Sequence, residues 1–156
     1  VFDKVEFGAS FLSRSPLFNG LSDEEINGLL ERAKIHQFED GETVVEEGSQ
    51  GDTIFLLVDG VLLVTTEDAQ GRSVELAKLD QSGAFFGEIA LVDPGPRSAT
   101  VRSSGQSVLL GLSLSILSDF FAVFTGSEAA ILRNIARVLA SRLRDSNALV
   151  SSLSSP

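Results

Sequence analysis

The chain contains no cysteine, so a disulfide framework, a zinc-thiolate site and thiol catalysis are all excluded, and the redox compartment leaves no mark on the sequence. His36 is its single histidine. A metal centre built from several imidazoles therefore cannot form, and a Ser-His-Asp triad would have to draw on a residue that the pattern places inside a strand. Basic residues are also scarce, with 12 Lys and Arg against 22 Asp and Glu and a formal charge of −10. Phosphate backbones are held by clustered cations, so general affinity for nucleic acid is not expected, although a local basic pocket stays open. No apolar run reaches the length of a membrane span, and the N-terminus lacks the basic, then apolar, then small-residue order of a secretory signal. The expectation is a soluble, cytoplasmic domain. The sequence opens on Val1 without a methionine, as an excised or processed segment of a longer parent would.

What is present suffices for one domain with a real core, since 156 residues are too few for two of ordinary size. In "LSDEEINGLLERAK", Ser22 suits the N-cap of a helix whose first turn holds Asp23, Glu24 and Glu25, where carboxylates match the helix dipole. Ile26, Leu29, Leu30 and Ala33 then recur at helical spacing. Ahead of it, "FLSRSPLFNG" reads as a turn or two of helix broken at Pro16 and anchored by Leu17 and Phe18. Residues 1–34 are thus expected to form a helical lead-in. From Ile35 to Leu112 the texture changes to the short runs "KIHQF", "ETVVEEG", "DTIFLLVDG", "VLLVTTE", "SVELAKL", "SATVRSS" and "SVLLGL". Breakers at Asp40-Gly41, Gly48 to Gly51, Asp59-Gly60, Gly71, Gly83 and Gly105 separate them at the spacing of an all-β sandwich or barrel.

Two helices are expected over residues 113–150, "SLSILSDFFAVF" and "GSEAAILRNIARVLASRLRDSNALV", with Ser127 as the cap of the second. Along that second helix Leu132, Ile135 or Ala136, Leu139 and Leu143 form a seam that Ile131 and Val138 widen. Something must cover it: either the β-roll or a second copy of the chain in a short coiled coil. Residues 151–156 read as a frayed, serine-rich tail.

The stretch "GAFFGEIALVDPGPRSATV" carries the chemistry. Phe85 and Phe86 end an apolar strand, Gly87 permits a tight bend, and "EIALV" has room for one helical turn before Asp93 and Pro94 stop it. The first N–H groups of such a turn lack partners inside it and favour an anion. Arg97 follows once Pro94-Gly95-Pro96 has turned the chain back, and its planar fork can hold two phosphate oxygens, with the Ser98 hydroxyl beside it. Glu88 is a poor neighbour for phosphate but a good acceptor for sugar hydroxyls. A ligand with a sugar hydroxyl on one side and a phosphate on the other satisfies both. Taken singly, the blander readings are a dipole partner for Glu88, a surface charge for Arg97 and a salt bridge between the two; their arrival together favours a ligand. His36, beside Ile35 and Phe38, reads as an ordinary strand residue. Glu46-Glu47 and Asp23 to Glu25 read as solvated charges, because neither run has the ligand spacing of a calcium loop.

These residues resemble the cyclic nucleotide-binding domain family. "FGEIALVDPGPRSATV" is similar to its phosphate-binding cassette, in which Phe-Gly-Glu-Leu/Ile-Ala-Leu precedes Arg-Ala/Ser/Thr-Ala-Thr. "EEGSQGDTIFLLVDGVLLV" sets Gly48, Gly51, Asp52, Phe55 and Gly60 where the family has its glycine signature. The likeness runs from "PLFNGLSDEE" through the terminal helix. It implies a mainly β fold with flanking helices: an eight-stranded jelly-roll β-barrel over residues 35–112, short N-terminal helices, a one-turn phosphate-binding helix within the cassette at 84–101, and a long C-terminal helix. It also implies that Glu88 accepts from the ribose 2′-hydroxyl, that Arg97 pairs with the cyclic phosphate, and that Ser98 with the amides near Ala90 and Ala99 completes the cradle. Phe86, Gly87 and Ile89 belong to the same cassette, and Val74 or Leu76 would wall the base.

The implied ligand is cAMP, with cGMP the alternative because a hydroxyl at Ser98 serves either; no metal and no catalysis are implied. In the transcription-factor branch a helix-turn-helix follows the long helix. None is visible here, and Arg133, Arg137, Arg142 and Arg144 are too few and too interspersed to replace it, so neither a nucleic-acid partner nor membrane insertion is expected of this chain. The leading expectation is a sensor whose terminal helix moves on binding; Arg133 or Arg137 could cap the base, although each reads first as a solvent-facing charge. The alternative is a β-roll that serves interaction or dimerisation without a ligand; an enzyme ranks below both.

Overall fold

A computed structural model of the chain describes residues 11–154. Residues 11–13 are helical, and there follow a 3-10 turn (Pro16–Phe18), α1 (Asp23–Arg32), β1 (Lys34–Phe38), β2 (Thr43–Val45), β3 (Thr53–Glu67), β4 (Ser73–Leu79), β5 (Phe85–Phe86), α2 (Ile89–Val92), β6 (Thr100–Ser113), α3 (Leu114–Val123) and α4 (Ser127–Ser154). The fold hangs on β3 and β6, which pair antiparallel from Thr53 opposite Ser113 to Thr65 opposite Thr100. Both faces of this ribbon are apolar. Because strand side chains alternate, Ile54, Leu56, Val58, Leu110 and Leu112 point into one core, shared with Leu17, Phe18, Ile26, Leu29, Phe120, Ile131 and Ile135 of the helical layer. Phe55, Leu57 and Leu109 point into the other, inside the roll, with Leu62 and Val101.

The eight-stranded barrel does not form. The sheet has six strands in the order β1-β6-β3-β4, with β2 on β6 and β5 on β3, and it is not closed. The difference lies in two glycines read as breakers. At Gly60 (φ +108°) β3 continues through a register shift, where a β-carbon would stand 2.6 Å from the Gln106 carbonyl oxygen. Gly105 (φ +76°) lies within β6, its N–H donating to Asp40 Oδ1 at 2.7 Å. Two expected pairs of strands therefore become two long, bent ones. The β3–β4 hairpin closes on Asp68, which accepts from the amides of Arg72 and Gln70, both at 2.9 Å. Those bonds, the one from Arg72 foremost, hold its carboxyl below the usual value.

The helices follow the sequence pattern with two exceptions, one of which is that the long helix runs on through Ser154, so residues 151–154, read as part of a frayed tail, are helical. Ser22 and Glu25 form a reciprocal capping box on α1, and Ser113 caps α3 by accepting from the Ile116 N–H at 3.1 Å. Ser127, expected as the cap of the long helix, is instead its first residue: its hydroxyl donates back to the Phe124 carbonyl at 2.6 Å. The upstream part of the α4 seam is covered by the chain itself, Ile131 and Ile135 being buried and Val138 and Leu139 partly so. The Asn134 side-chain amide, also buried, donates to the Leu17 and Asn19 carbonyls at 2.9 and 2.8 Å and ties α4 to the 3-10 turn. From residue 140 to 153 every position is exposed. Among the described residues no helix is long and apolar enough to cross a membrane, and no group of three or more His, Cys, Asp or Glu is placed to hold a metal ion.

Candidate functional site

The short strand β5 pairs Phe86 with Phe55 and Phe85 with Leu56 of β3, which carries the chain to Gly87 at φ +85° and into α2. Arg97 returns opposite. Its N–H donates to the Ser49 carbonyl at 2.7 Å and its carbonyl accepts from the Gly48 N–H at 2.8 Å, so the glycine loop and the cassette are stitched together. The Arg97 side chain then passes between two glycines. A β-carbon at Gly51 would overlap its guanidinium, and one at Gly87 would lie 2.5 Å from Nη1 and 2.7 Å from the Thr53 carbonyl oxygen. That same carbonyl accepts from Arg97 Nη2 at 2.9 Å. The sequence's two separate motifs are two walls of one arginine socket.

Burial lowers the pKa of the Arg97 guanidinium from its ordinary value, while Asp52 and Glu88 pull it back up; a guanidinium nonetheless stays charged at neutral pH. Arg97 forms no ion pair among the described residues, so the simple Glu88–Arg97 salt bridge is absent. The Ala90 amide, expected in the cradle, donates to the Gly87 carbonyl at 3.2 Å. The Ala99 amide has no hydrogen-bond partner among the described residues. Ser98 is exposed at the rim.

Glu88 precedes α2 with helical backbone angles and no capping bond from its side chain. It is 3% exposed, and an isolated carboxylate at such depth would be costly. Its partner is Arg142 of α4, whose Nη1 donates to Glu88 Oε1 at 2.8 Å. The Arg142 guanidinium also stands 5.9 Å from the centre of the Phe85 ring. Arg133 and Arg137, read first as solvent-facing charges and second as caps on a ligand, do not line this site; Arg137 faces a separate cleft of about 230 Å³ with Asn134 and Pro16. The signal for Arg142 was helical phase. It follows Ile131, Ile135 and Val138 at i+11, i+7 and i+4, on the stripe that faces the roll.

Arg97, Glu88 and Arg142 open onto one cavity of about 600 Å³, within the roughly 300–1,000 Å³ usual for small-molecule sites. Phe86, Gly87, Ile89, Ala90, Ser98, Ala99 and Leu76 line it too, with Val45, Val64, Leu79 and Val101 as the apolar wall. Val74 does not. It pairs with Thr66 outside the cavity, whereas Leu76 has no partner opposite it: Val64 faces Ala77 and Thr65 faces Glu75. Leu76 is the extra residue of a β-bulge, which breaks the alternation that would have put 74 and 76 on one face.

Residues 35–123 match the family model described as Cyclic nucleotide-binding domain. The chain belongs to the cyclic nucleotide-binding domain family. It is 29% identical over 136 residues to a CRP-like cAMP-activated global transcriptional regulator of Mycobacterium tuberculosis, covering 87% of this chain and 58% of that protein. To a cAMP-dependent protein kinase regulatory subunit of Mycosarcoma maydis it is 32% identical over 128 residues, 81% of this chain and 24% of the other. The chain thus spans little over half of the first relative and a quarter of the second. Among solved structures, the N-terminal domain of a transcriptional regulator from Streptomyces coelicolor A3(2) superposes with a TM-score of 0.76 at 31% identity, over 90% of this chain and 94% of that one. In this cyclic nucleotide-binding domain the matched segment ends at α3, so Arg142 lies outside it.

Proposed function

We propose that the chain is a regulatory sensor that binds a cyclic nucleotide, cAMP in preference to cGMP, in the cavity between α2, β4 and Arg97. The observation that carries this is the state of two charges. Arg97 is fixed in a socket yet has no ion-pair partner among the described residues, and the buried Glu88 lines the same cavity. A cyclic phosphate supplies the anion that Arg97 lacks, with the Ala99 amide and the Ser98 hydroxyl as further donors. A ribose hydroxyl donates to Glu88, and the purine lies along the apolar wall toward Leu76. Two relatives named for cAMP make it the first ligand to test, beside cGMP, for which two others are named. The same groups give no activated nucleophile or metal centre for turnover.

The helix α4 is the output element in this reading. Ligand shifts its position only if it contacts one arrangement better than another. Its exposed distal residues Leu143, Val150 and Leu153 are spaced by seven and three, a coiled-coil interval that suits a second copy of the chain or a parent protein. Equilibrium dialysis of labelled cAMP, with unlabelled cGMP as competitor, tests the proposal. Retention of cAMP that cGMP displaces only weakly is expected, and no retention would favour a ligand-free interaction domain.

A further inference from the structure

We propose a second binding site, for a small phosphate-bearing anion, in the cleft between the 3-10 turn and α4. The cleft holds about 230 Å³ and shares no lining residue with the cavity of Glu88 and Arg97, so the inference stands whether or not that cavity takes a cyclic nucleotide. Its charged lining residues are Arg14 and Arg137, and neither Asp nor Glu lines it. The chain as a whole carries a formal charge of −10, yet the walls of this cleft bring together positive charge alone. An anion held between two guanidinium groups is attracted by both.

The buried floor of the cleft satisfies itself. The Ser15 hydroxyl donates to the Gly83 carbonyl at 2.9 Å and accepts from the Leu17 N–H at 3.4 Å. The Asn134 amide donates to the Leu17 and Asn19 carbonyls, and its Oδ1 accepts from Arg137 Nη1 at 3.4 Å. These bonds tie the turn to the roll and to α4, so the walls are fixed before a ligand arrives. What is left over is donor capacity at the exposed rim, where Arg14 and Arg137 stand. A guanidinium has several N–H donors and no acceptor, so an arginine engaged on one side still presents donors on another. Arg137 makes that one long bond and no ion pair among the described residues.

Size and charge select the ligand. A volume below the roughly 300–1,000 Å³ of usual small-molecule sites leaves no room for a nucleotide but enough for one phosphate group. Two planar forks suit the several oxygens of a phosphate, whereas a lone carboxylate occupies only one fork. Pro16 and Val138 add apolar surface to the same walls, which suits the short carbon stem of a phosphate monoester as well as the free anion.

Titration of the whole chain with inorganic phosphate, and in parallel with glycerol phosphate, followed through the arginine Nε–Hε signals by NMR, tests this. Arg97 is a competing phosphate partner in the other cavity, so Arg97→Ala is titrated as well. The Arg14 and Arg137 signals are expected to move along one saturable curve, with a Kd of about 1 mM or tighter, in wild type and Arg97→Ala alike. Sodium chloride at matched ionic strength should not reproduce the movement. Arg137→Ala should weaken the Arg14 response about tenfold, and Arg14→Ala that of Arg137. Tighter binding of glycerol phosphate would support the site and identify a monoester as its ligand; equal or weaker binding would support it with the free anion. A drift without saturation, a response equalled by chloride, or a saturable response confined to Arg97 would overturn the proposal.

Discussion

Glu88 and Arg142 are 54 positions apart in sequence, and 2.8 Å separates their charged groups. The pair is lopsided: the Glu88 side chain is 4% exposed and that of Arg142 is 55% exposed. Water can solvate the arginine if its partner is lost, but it reaches the carboxylate poorly. Removing Arg142 should therefore cost more stability than neutralising Glu88, by about 1 kcal/mol. Urea denaturation of Arg142→Ala and Glu88→Gln measures the difference, and equal midpoints would show the carboxylate to be hydrated from the cavity.

Arg97→Ala leaves a bound phosphate without its countercharge. The expected loss is roughly 2–5 kcal/mol of binding, about one and a half to three and a half decades in Kd. Folding should persist, because the side chain's one internal bond is to the Thr53 carbonyl. Unchanged affinity would show that the phosphate assignment is wrong, and an unfolded variant would make Arg97 structural.

Gly51→Ala tests the socket without touching a charge. Its added methyl group overlaps the Arg97 guanidinium, and Gly51 is not among the glycines at positive φ, so backbone strain does not enter. Displacing Arg97 should weaken cyclic nucleotide binding by about tenfold or more, with a melting temperature close to wild type. Retained affinity would mean that the guanidinium is free to shift.

His36 offers a pH dependence of known sign. Its ring packs edge-on against Phe55 with centroids 5.5 Å apart, and its pKa lies below the ordinary 6.5, through burial first and the Lys34 charge second. As pH falls through 6.5 the unfolded chain takes up a proton before the folded one, so stability declines on the acid side and levels off below the folded pKa. Thermal melts between about pH 7.5 and about pH 5 should show a smaller acid-side decline in His36→Gln than in wild type. Identical declines would place the acid sensitivity in the carboxylates.

Asn134→Ala removes both amide bonds to the Leu17 and Asn19 carbonyls and should destabilise the fold by about 1–3 kcal/mol. Its mark is local: exchange at 128–135 should rise, and a variant protected there like wild type would show that apolar contacts alone hold the proximal helix.

The cassette and the glycine signature were legible because each role needs a particular residue type in a particular order, a glycine at the bend, an acid after it and an arginine beyond the Pro-Gly-Pro turn. The helical core was legible through periodicity at Ile26, Leu29, Ile131 and Ile135. Strand number was not, because Gly60 and Gly105 look like turn residues whether the chain reverses there or bends within a ladder; the contact of Gly60 with Gln106 exists only once β3 and β6 have paired. Alternation likewise could not choose Leu76 over Val74, since the bulge that reorients Leu76 belongs to the β3–β4 register. Helical phase puts Arg142 on the stripe of Ile131, Ile135 and Val138 and leaves Arg133 and Arg137 off it, but the carboxylate that it meets, Glu88, is 54 positions away in sequence.

Isothermal titration of ligand-stripped protein with cAMP and, in parallel, cGMP tests most directly whether Arg97 and Glu88 form a nucleotide site. Saturable binding, micromolar or tighter and stronger for cAMP, is the predicted result. Flat traces for both nucleotides would contradict it and leave Glu88–Arg142 as a structural ion pair in an interaction domain.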